Sequence, residues 1–471
     1  RLLVGRLVAI CCQKILTAME PRWQFSARDD SEWPQVLIEP TIDPATVLSD
    51  VGTVAGRSAP GYVRPGHDDG PGWAASFRSP MGLAAAADYQ VFVADADNHA
   101  VRRIFGDGYV ETIAGGDGHG FVDGRGAAAR FFNPHGVAWR SSDGAVFVAD
   151  TSNHAVRMIS ASQPGASGVV STVWGAAGAG YATAEHRGNG TAALTNAPPS
   201  GLWNPQGVAI WRDGLLVADT DNHRILQLSP RSGGGWRLRA FAGTGNKGFE
   251  GATAFVASFR YPRSVAVCAG GAEVLVADSG NHAIRRVVAG PMTDSKGVEG
   301  LDWGEHAVVE TLAGNGLPGI EDSRTRQEKP KASVLLTYQL AAQFALPYGV
   351  ACAADGGALV SDTGNHRVRQ VRTDGVTVTL AGTEDVGMLD GAGSLARFNE
   401  PRGLAQREDG SIWLAESGNH AVRRIFVFSE IQSSAAYRTA HAPPAVAAVL
   451  GIAVVVTVLR SRRQRVRTEC K

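Results

Sequence analysis

The chain is poor in cysteine, with five among 471 residues. Cys11, Cys12 and Cys470 lie near the two ends, and Cys268 and Cys352 lie within the repeated part of the chain. No set of these residues has the spacing of metal ligands, which argues against a cysteine-bound metal or cluster. We expect no cofactor and no metal, and we expect Cys268 and Cys352 to be buried thiols and not a disulfide bridge.

The sequence also lacks the motifs of several common catalytic sites. It contains neither a G-x-S-x-G nucleophile elbow nor an H-E-x-x-H zinc motif. The glycine-rich segment 242–248 follows a strand pattern, but no helix pattern comes after it, so it does not match a phosphate-binding loop. We assign no catalytic residue, and a binding function is favoured over an enzymatic one.

Net positive charge is missing from the body of the chain. Lys plus Arg and Asp plus Glu each number 45, and the formal net charge is zero. The end segments 1–24 and 460–471 carry +3 and +5, so residues 25–459 carry −8. Nucleic-acid binding depends on a cationic surface, and this balance therefore disfavours a nucleic-acid partner for the body of the chain.

What the chain does have is a ten-residue motif that occurs six times. Its first copy, Asp95–Ile104, reads D-A-D-N-H-A-V-R-R-I, and successive copies are 54 to 84 residues apart. An apolar strand pattern precedes each copy and turn-forming polar residues lie within it, so each copy predicts a β-hairpin. We expect the acid, asparagine and histidine of each turn to be structural. They are Asp95, Asn98, His99, Asp150, Asn153, His154, Asp219, Asn222, His223, Asp278, Asn281, His282, Asp362, Asn365, His366, Glu416, Asn419 and His420.

Two further strand patterns accompany each hairpin. A Pro-x-Gly or Pro-x-Ser segment comes before it, and a strand ending in glycine follows five of the six copies. Each repeat therefore supplies four strands, and four-stranded sheets repeated around an axis form a β-propeller. The sixth copy lacks its last strand, while Thr53–Gly56 stands alone before the first copy. The sequence thus predicts an all-β, six-bladed β-propeller whose ring is closed by this N-terminal strand.

Residues 51–428 resemble the NHL repeat family, because the Asn-His pair recurs in all six copies within the same strand pattern. Two linking segments, 123–131 and 390–398, resemble the inter-blade loop of plant and bacterial NHL proteins. The resemblance implies a six-bladed propeller but no particular activity, since one fold hosts many functions. The chain departs from the family pattern in long connections near 160–200 and 288–346, and a glutamate replaces the motif aspartate in the sixth copy.

Three sets of side chains could form a site. The six histidines belong to different blades, so we expect them to pack at turns and not to converge on a metal. At the expected channel, small apolar strands are flanked by His135, Arg263, Tyr348 and Arg402, which differ from blade to blade and indicate a site only weakly. The arginines of the returning strands recur at fixed positions, which indicates packing. They are Arg102, Arg103, Arg157, Arg285, Arg286, Arg369, Arg423 and Arg424.

The two ends differ from the repeated part. Residues 1–50 include a short apolar run that resembles the remnant of a leader peptide, and residues 429–444 are expected to be a linker. Segment 445–459 is uncharged and precedes the basic tail 460–471, which predicts a single transmembrane helix with a cytoplasmic tail. Fifteen apolar residues fall short of the roughly 20 that usually span a bilayer, but arginine side chains can reach the interface.

These observations leave three hypotheses on function. In the first, a membrane-anchored propeller in the lumen or outside the cell binds a protein, peptide or carbohydrate ligand on its loop face. In the second, the propeller is a hydrolase or lyase with a site at its central channel. In the third, a tail-anchored scaffold faces the cytosol, because a short apolar span flanked by arginines is also typical of tail anchors.

The sidedness of the propeller can be tested with Asn189-Gly190-Thr191, an acceptor sequence for N-glycosylation. We expect Asn189 to be glycosylated, because lumenal acceptors receive glycan and cytosolic ones do not. Mobility before and after endoglycosidase is measured, with control acceptors engineered near Ser433 and after Lys471. If only the acceptor after Lys471 is modified, the propeller faces the cytosol.

Overall fold

The structure is a computed structural model, and the residues that it describes lie within one compact unit, Ala45–Lys471. They are residues 48–56, 58–59, 62–160, 167–175, 201–293, 299–303, 306–323 and 342–428.

Strands dominate the described residues, and short 3₁₀ helices occupy five of the six repeat turns and two other connections. The 3₁₀ helices are Ala96–Asn98, Gly126–Ala128, Thr151–Asn153, Thr220–Asn222, Ala269–Gly271, Ser279–Asn281 and Thr363–Asn365. In chain order the strands are β1 Leu48–Ala55, β2 Ser58–Ala59, β3 Tyr62–Val63, β4 Pro80–Ala85, β5 Val91–Asp95, β6 Ala100–Ile104, β7 Val110–Gly115, β8 Gly124–Arg125, β9 Pro134–Trp139, β10 Val146–Asp150, β11 Ala155–Ile159, β12 Val169–Trp174, β13 Pro205–Trp211, β14 Gly214–Asp219, β15 Arg224–Pro230, β16 Trp236–Ala242, β17 Ala252–Thr253, β18 Pro262–Cys268, β19 Glu273–Asp278, β20 Ala283–Val288, β21 Gly290–Thr293, β22 Glu299–Asp302, β23 Val308–Ala313, β24 Val350–Cys352, β25 Ala358–Asp362, β26 Arg367–Val371, β27 Thr377–Ala381, β28 Gly391–Ala392, β29 Pro401–Gln406, β30 Ile412–Glu416 and β31 Ala421–Phe428.

Six antiparallel sheets form the blades of a propeller, as the repeat predicts. From the axis outward, blades 1 to 6 are β4-β5-β6-β7, β9-β10-β11-β12, β13-β14-β15-β16, β18-β19-β20-β23, β24-β25-β26-β27 and β29-β30-β31-β1. Short strands β8, β17 and β28 add a fifth member to the outer edges of blades 2, 4 and 6. Each innermost strand contacts that of the next blade, and β29 contacts β4, so the ring is complete.

The second strand of each blade is buried on both faces because it lies between two neighbouring blades. In Val91–Asp95 all five residues are buried. Phe92 packs with Phe131 in the core shared with blade 2, and Val93 packs with Trp413 in the core shared with blade 6. Because successive strand residues point to opposite faces, a run of apolar residues without alternation fits this doubly covered position.

The small residue after Pro-x is required by close approach of the next blade near the axis. A Cβ added to Gly82 would lie 2.2 Å from the carbonyl oxygen of His135, and one added to Gly136 would lie 2.2 Å from that of Gln206. Such distances are far inside van der Waals contact, so only glycine leaves room for the neighbouring backbone. This crowding brings the residues that precede these glycines close to their counterparts in the neighbouring blades.

The N-terminal strand closes the ring in blade 6. β1 runs antiparallel to β31, from Leu48 opposite Phe428 to Ala55 opposite Val422. The closure expected from the unpaired Thr53–Gly56 pattern is therefore confirmed, and the strand begins earlier than that pattern, at Leu48. β1 also occupies an edge of β31 that would otherwise be open to pairing with another chain.

The expectation that Cys268 and Cys352 are separate thiols is wrong. They form a disulfide bridge with a Cα–Cα distance of 5.5 Å across 84 residues of sequence. Each lies at the end of an innermost strand, β18 in blade 4 and β24 in blade 5. Because the innermost strands of neighbouring blades touch near the axis, these positions come within the usual range for bridged cysteines.

Several expectations concern residues outside the described ranges. These are the leader remnant near the start of segment 1–50, the linker 429–444, the transmembrane helix at 445–459, the cytoplasmic tail 460–471 and the glycosylation acceptor at Asn189. Within the part of the chain that the structure describes, no helix has both the length and the apolar character needed to cross a bilayer.

We expect removal of residues 1–56 to lower the free energy of unfolding by at least about 3 kcal/mol. The deletion removes the buried Val51 and Ala55 and exposes the edge of β31. Urea denaturation provides the measurement. The matched control is removal of residues 1–44, which leaves β1 intact; equal midpoints for the two truncations would contradict the closure.

Candidate functional site

The acid of each repeat is a buried acceptor for three donors. In blade 2, Asp150 Oδ1 accepts the backbone N–H of Phe132 at 2.7 Å. Its Oδ2 accepts Asn153 Nδ2 at 2.8 Å and Arg157 Nη1 at 2.8 Å. The carboxylate thus joins the hairpin turn, the returning strand and the chain entering the blade. Asp95, Asp278, Asp362 and Glu416 make the same three kinds of contact in blades 1, 4, 5 and 6.

The arginine that meets this acid is buried and holds the inter-blade loop as well. Arg157 Nη2 donates to the carbonyl oxygen of Val122 at 2.9 Å and to Asp123 Oδ1 at 2.5 Å. Its guanidinium also lies 5.3 Å from the centroid of Phe131. Burial raises the pKa of Asp150 to about 6, although the hydrogen bonds from Asn153, Phe132 and Arg157 act in the opposite direction. These contacts give the repeat arginines a packing role.

In blade 3 an arginine at a different position of the returning strand binds the motif acid. Leu226 stands where the other blades have arginine, but Arg224 lies two residues earlier on the same strand face. Arg224 Nε donates to Asp219 Oδ2 at 2.8 Å, and Nη2 donates to the carbonyl oxygen of Gly201 at 3.0 Å. The carboxylate therefore keeps a guanidinium partner although the motif has changed.

The six motif histidines join successive blades. Each has a positive φ, between 50° and 54°, and its Nδ1 accepts the backbone N–H of a residue in the next blade that also has positive φ. An imidazole that accepts at Nδ1 is neutral with its proton on Nε2. Burial lowers the pKa of each ring, that of His223 to about 4. The pairs are His99 with Asn133, His154 with Asn204, His223 with Tyr261, His282 with Leu346, His366 with Glu400 and His420 with Ser79.

Because each histidine serves a different blade junction, the six do not gather at one point. Among the residues that the structure describes, no group of three or more His, Cys, Asp or Glu side chains could hold a metal ion. The repeated residues are thus committed to joining strands, loops and blades, and a ligand site has to be sought among residues that vary between blades.

Such residues lie at the channel, one from each blade, between the proline and the following Gly or Ser. We call them the channel ring: Met81, His135, Gln206, Arg263, Tyr348 and Arg402. A cavity of about 80 Å³ opens there. Its lining includes His135, Gln206, Arg263 and Tyr348.

The structure brings together the four channel residues that the sequence indicates only weakly. Tyr348 Oη lies 2.9 Å from His135 Nδ1 although the two residues belong to blades 5 and 2. The guanidinium groups of Arg263 and Arg402 lie 5.4 and 5.0 Å from the centroid of the Tyr348 ring. Gln206 was missed by the sequence analysis, although its place after Pro205 marks it as a member of the same ring.

The channel ring carries positive charge, and two of its buried polar atoms lack a well-formed hydrogen bond. Burial, together with Arg263 and Arg402, lowers the pKa of His135 to about 3, so the imidazole is neutral at physiological pH. Burial likewise raises the pKa of the Tyr348 hydroxyl and lowers that of the Arg263 guanidinium. Gln206 lies close enough to His135 to raise the pKa of the imidazole slightly against these effects, but neither its Oε1 nor Arg263 Nε makes a hydrogen bond of good geometry within the described residues.

Comparison with known proteins identifies the repeat. The NHL repeat family model matches residues 202–228, which include the third motif copy. NHL repeat-containing protein 2 of Bos taurus is 27% identical over 354 residues, covering 71% of this chain and 44% of that protein. The chain carries an NHL repeat and resembles NHL repeat-containing proteins. The resemblance drawn from the Asn-His motifs is thus confirmed, and the six blades form an NHL propeller.

Two further comparisons describe the NHL propeller's relatives. Protein SUPPRESSOR OF QUENCHING 1, chloroplastic, of Arabidopsis thaliana is 30% identical over 312 residues, covering 65% of this chain and 26% of that protein. The NHL propeller chain therefore spans less than half the length of these curated relatives. An auxiliary nutrient binding protein of Bacteroides thetaiotaomicron shares the fold with a TM-score of 0.55 at 13% identity, covering 81% of this chain and 77% of that one.

We expect Asp150→Asn to lower the free energy of unfolding by roughly 3 kcal/mol, because the buried Arg157 then loses its only fully buried charge partner and keeps the half-exposed Asp123. Both side chains of this pair are fully buried. The control is Asp117→Asn. Asp117 is 73% exposed and its partner Arg130 is 44% exposed, so this substitution should lower the free energy of unfolding by less than about 1 kcal/mol. Urea denaturation of the two variants provides the measurement, and similar losses would contradict the assignment.

Proposed function

We propose that this NHL propeller is a ligand-binding module whose binding site is the channel ring. The observation that carries the proposal is a set of polar side chains, one each from four blades, converging on one cavity. His135 and Tyr348 are 9% and 4% exposed, and Gln206 Oε1 lies among them without a hydrogen-bond partner. Buried polar atoms in native proteins are nearly always hydrogen-bonded, so an unpaired one in a cavity favours a site that a ligand completes.

A contrast between two sets of residues supports this proposal: the turn residues are nearly the same in every blade, whereas the channel-ring residues vary from blade to blade. The same acid, asparagine and histidine recur in every blade where they hold the frame, with one glutamate for aspartate. At the channel ring, by contrast, the six blades carry methionine, histidine, glutamine, tyrosine and two arginines. A position whose residue differs in nearly every blade is not fixed by the packing that all blades share, and it is free to serve recognition.

Binding fits the ring better than hydrolase or lyase chemistry does. A general base works best when its pKa lies near the operating pH. The pKa of His135 is about 3, so its imidazole is a weak base at neutral pH. The raised pKa of Tyr348 keeps its hydroxyl protonated, which makes it a hydrogen-bonding group and not a nucleophile. We propose a peptide, protein or carbohydrate ligand that lies on the loop face and sends a small polar group into the channel.

We further propose that the propeller lies in an oxidising space, the lumen or the outside of the cell, and that segment 445–459 anchors it to the membrane. The Cys268–Cys352 bridge supports this, because stable disulfides belong to oxidising compartments. The uncharged segment followed by the arginine-rich tail supports a cytoplasmic C-terminus. The cytosolic scaffold is the alternative that the glycosylation experiment distinguishes.

We expect Gln206→Met to leave the free energy of unfolding within about 0.5 kcal/mol of the wild type or to raise it. In the ligand-free protein Gln206 Oε1 is an unpaired buried atom, and its removal eliminates a desolvation cost while the side-chain volume is kept. Asn153→Met is the control, because Asn153 Nδ2 donates to Asp150 and to the carbonyl oxygen of Gly120. Urea denaturation is measured without ligand, and a loss of 2 kcal/mol or more for Gln206→Met, on the order of a lost buried hydrogen bond, would show that the ring is structural.

A further inference from the structure

Arg263 differs from the buried repeat arginines in forming no ion pair, and Asp221 acts on the pKa of its guanidinium only through a longer-range charge interaction. It lines the channel cavity from blade 4 and is partly buried. Among the residues that the structure describes, no carboxylate lies within 4.0 Å of its guanidinium. By contrast, the five buried repeat arginines each pair with a carboxylate at 2.7 to 3.1 Å. They are Arg102, Arg157, Arg285, Arg369 and Arg423.

A second guanidinium reinforces this positive charge. Arg402 is bound along one edge only, with Nε donating to Ser417 Oγ at 3.1 Å and Nη2 donating to Glu400 Oε2 at 2.8 Å. Arg263 and Arg402 both stack on the Tyr348 ring, so the two like charges are held near each other. A partly buried charge without an ion pair, beside a second charge of the same sign, is costly, and an anion bound at Arg263 would offset that cost.

The neutral members of the ring add a hydrogen-bond donor. A neutral His135 and the Tyr348 hydroxyl together hold two transferable protons, one N–H and one O–H. Their mutual hydrogen bond of 2.9 Å uses one of these protons. Whichever direction that bond takes, the other proton is left for a ligand or for the nearby Gln206, whose amide adds two more N–H groups.

The size of the cavity limits what can enter. Its volume of about 80 Å³ is well below the roughly 150 Å³ of an engineered cavity that holds benzene, so a sugar ring does not fit. A carboxylate or a phosphate group is small enough, and guanidinium groups bind both with paired N–H donors. We propose that the channel ring binds an oxyanion, a carboxylate or phosphate group, at Arg263, with Arg402 beside the same Tyr348 ring adding positive charge. The inference rests on the proposed function and names the chemistry of the ligand group that enters the channel.

The oxyanion can belong to a free small acid or to the end of a longer ligand. The two sources share the group that the arginines contact and differ in what lies outside the channel. A peptide offers a carboxylate at its C-terminus, which an amide cap removes without changing the rest of the molecule. The comparison of a peptide acid with its amide therefore isolates the charge that the ring is proposed to recognise.

The test is isothermal titration of the full-length chain at low ionic strength. The probes are sodium acetate, sodium phosphate, tri-alanine with a free C-terminus, tri-alanine amide and maltotriose, with sodium chloride controlling for salt. We expect at least one oxyanion probe to bind and the amide to bind at least about tenfold more weakly than the acid, which is one unit in log Kd. Arg263→Gln and Arg402→Gln should each weaken oxyanion binding by a similar factor or more. Arg231→Gln, which removes the same charge from an exposed hairpin, should not.

Each outcome supports or overturns the proposed oxyanion site. Binding of acetate or phosphate alone identifies a small free acid, and preference for tri-alanine acid over both identifies a terminal carboxylate. If no oxyanion probe binds, or if Arg263→Gln binds as the wild type does, the inference is overturned. Maltotriose binding that is lost in Gln206→Met would then leave the channel proposal standing with a neutral ligand. Loss of stability in ligand-free Gln206→Met would overturn the channel proposal itself.

Discussion

The buried carboxylate at the end of each second strand is the contact on which the propeller depends. It binds an asparagine from its own turn, an arginine from the next strand and a backbone N–H from the segment that enters the blade. In blade 2 the Asp150 and Arg157 side chains are fully buried. Removing one partner would therefore leave another uncompensated in the interior, which explains why the acid recurs in all six blades.

The motif histidine turns six separate blades into one ring. Its left-handed backbone directs the ring across the junction, where Nδ1 accepts a backbone N–H of the next blade. β1 completes the last blade, and the Cys268–Cys352 bridge ties blades 4 and 5 near the axis. The residues of the channel ring take no part in these repeated contacts, and they differ from blade to blade.

The sequence predicts most of the frame, because repeated residues report contacts that repeat. The strand patterns predicted the blades, and the unpaired Thr53–Gly56 segment predicted how the ring of blades closes. Local patterns failed where contacts cross the axis. Neither the Cys268–Cys352 bridge nor the meeting of His135 with Tyr348 can be read from spacing, since the partners belong to different blades. In blade 3 the motif lacks its arginine, and only the folded strand shows Arg224 replacing it from the same face.

The most direct measurement of this account is a double-mutant cycle between Asp150 and Arg157. The free energy of unfolding is measured for Asp150→Asn, Arg157→Met and the double variant, each against the wild type. If the buried pair holds the blade together, the coupling energy is at least about 2 kcal/mol, and the double variant is less destabilised than the two single losses combined. Coupling below about 0.5 kcal/mol would contradict it, because the two side chains would then act independently.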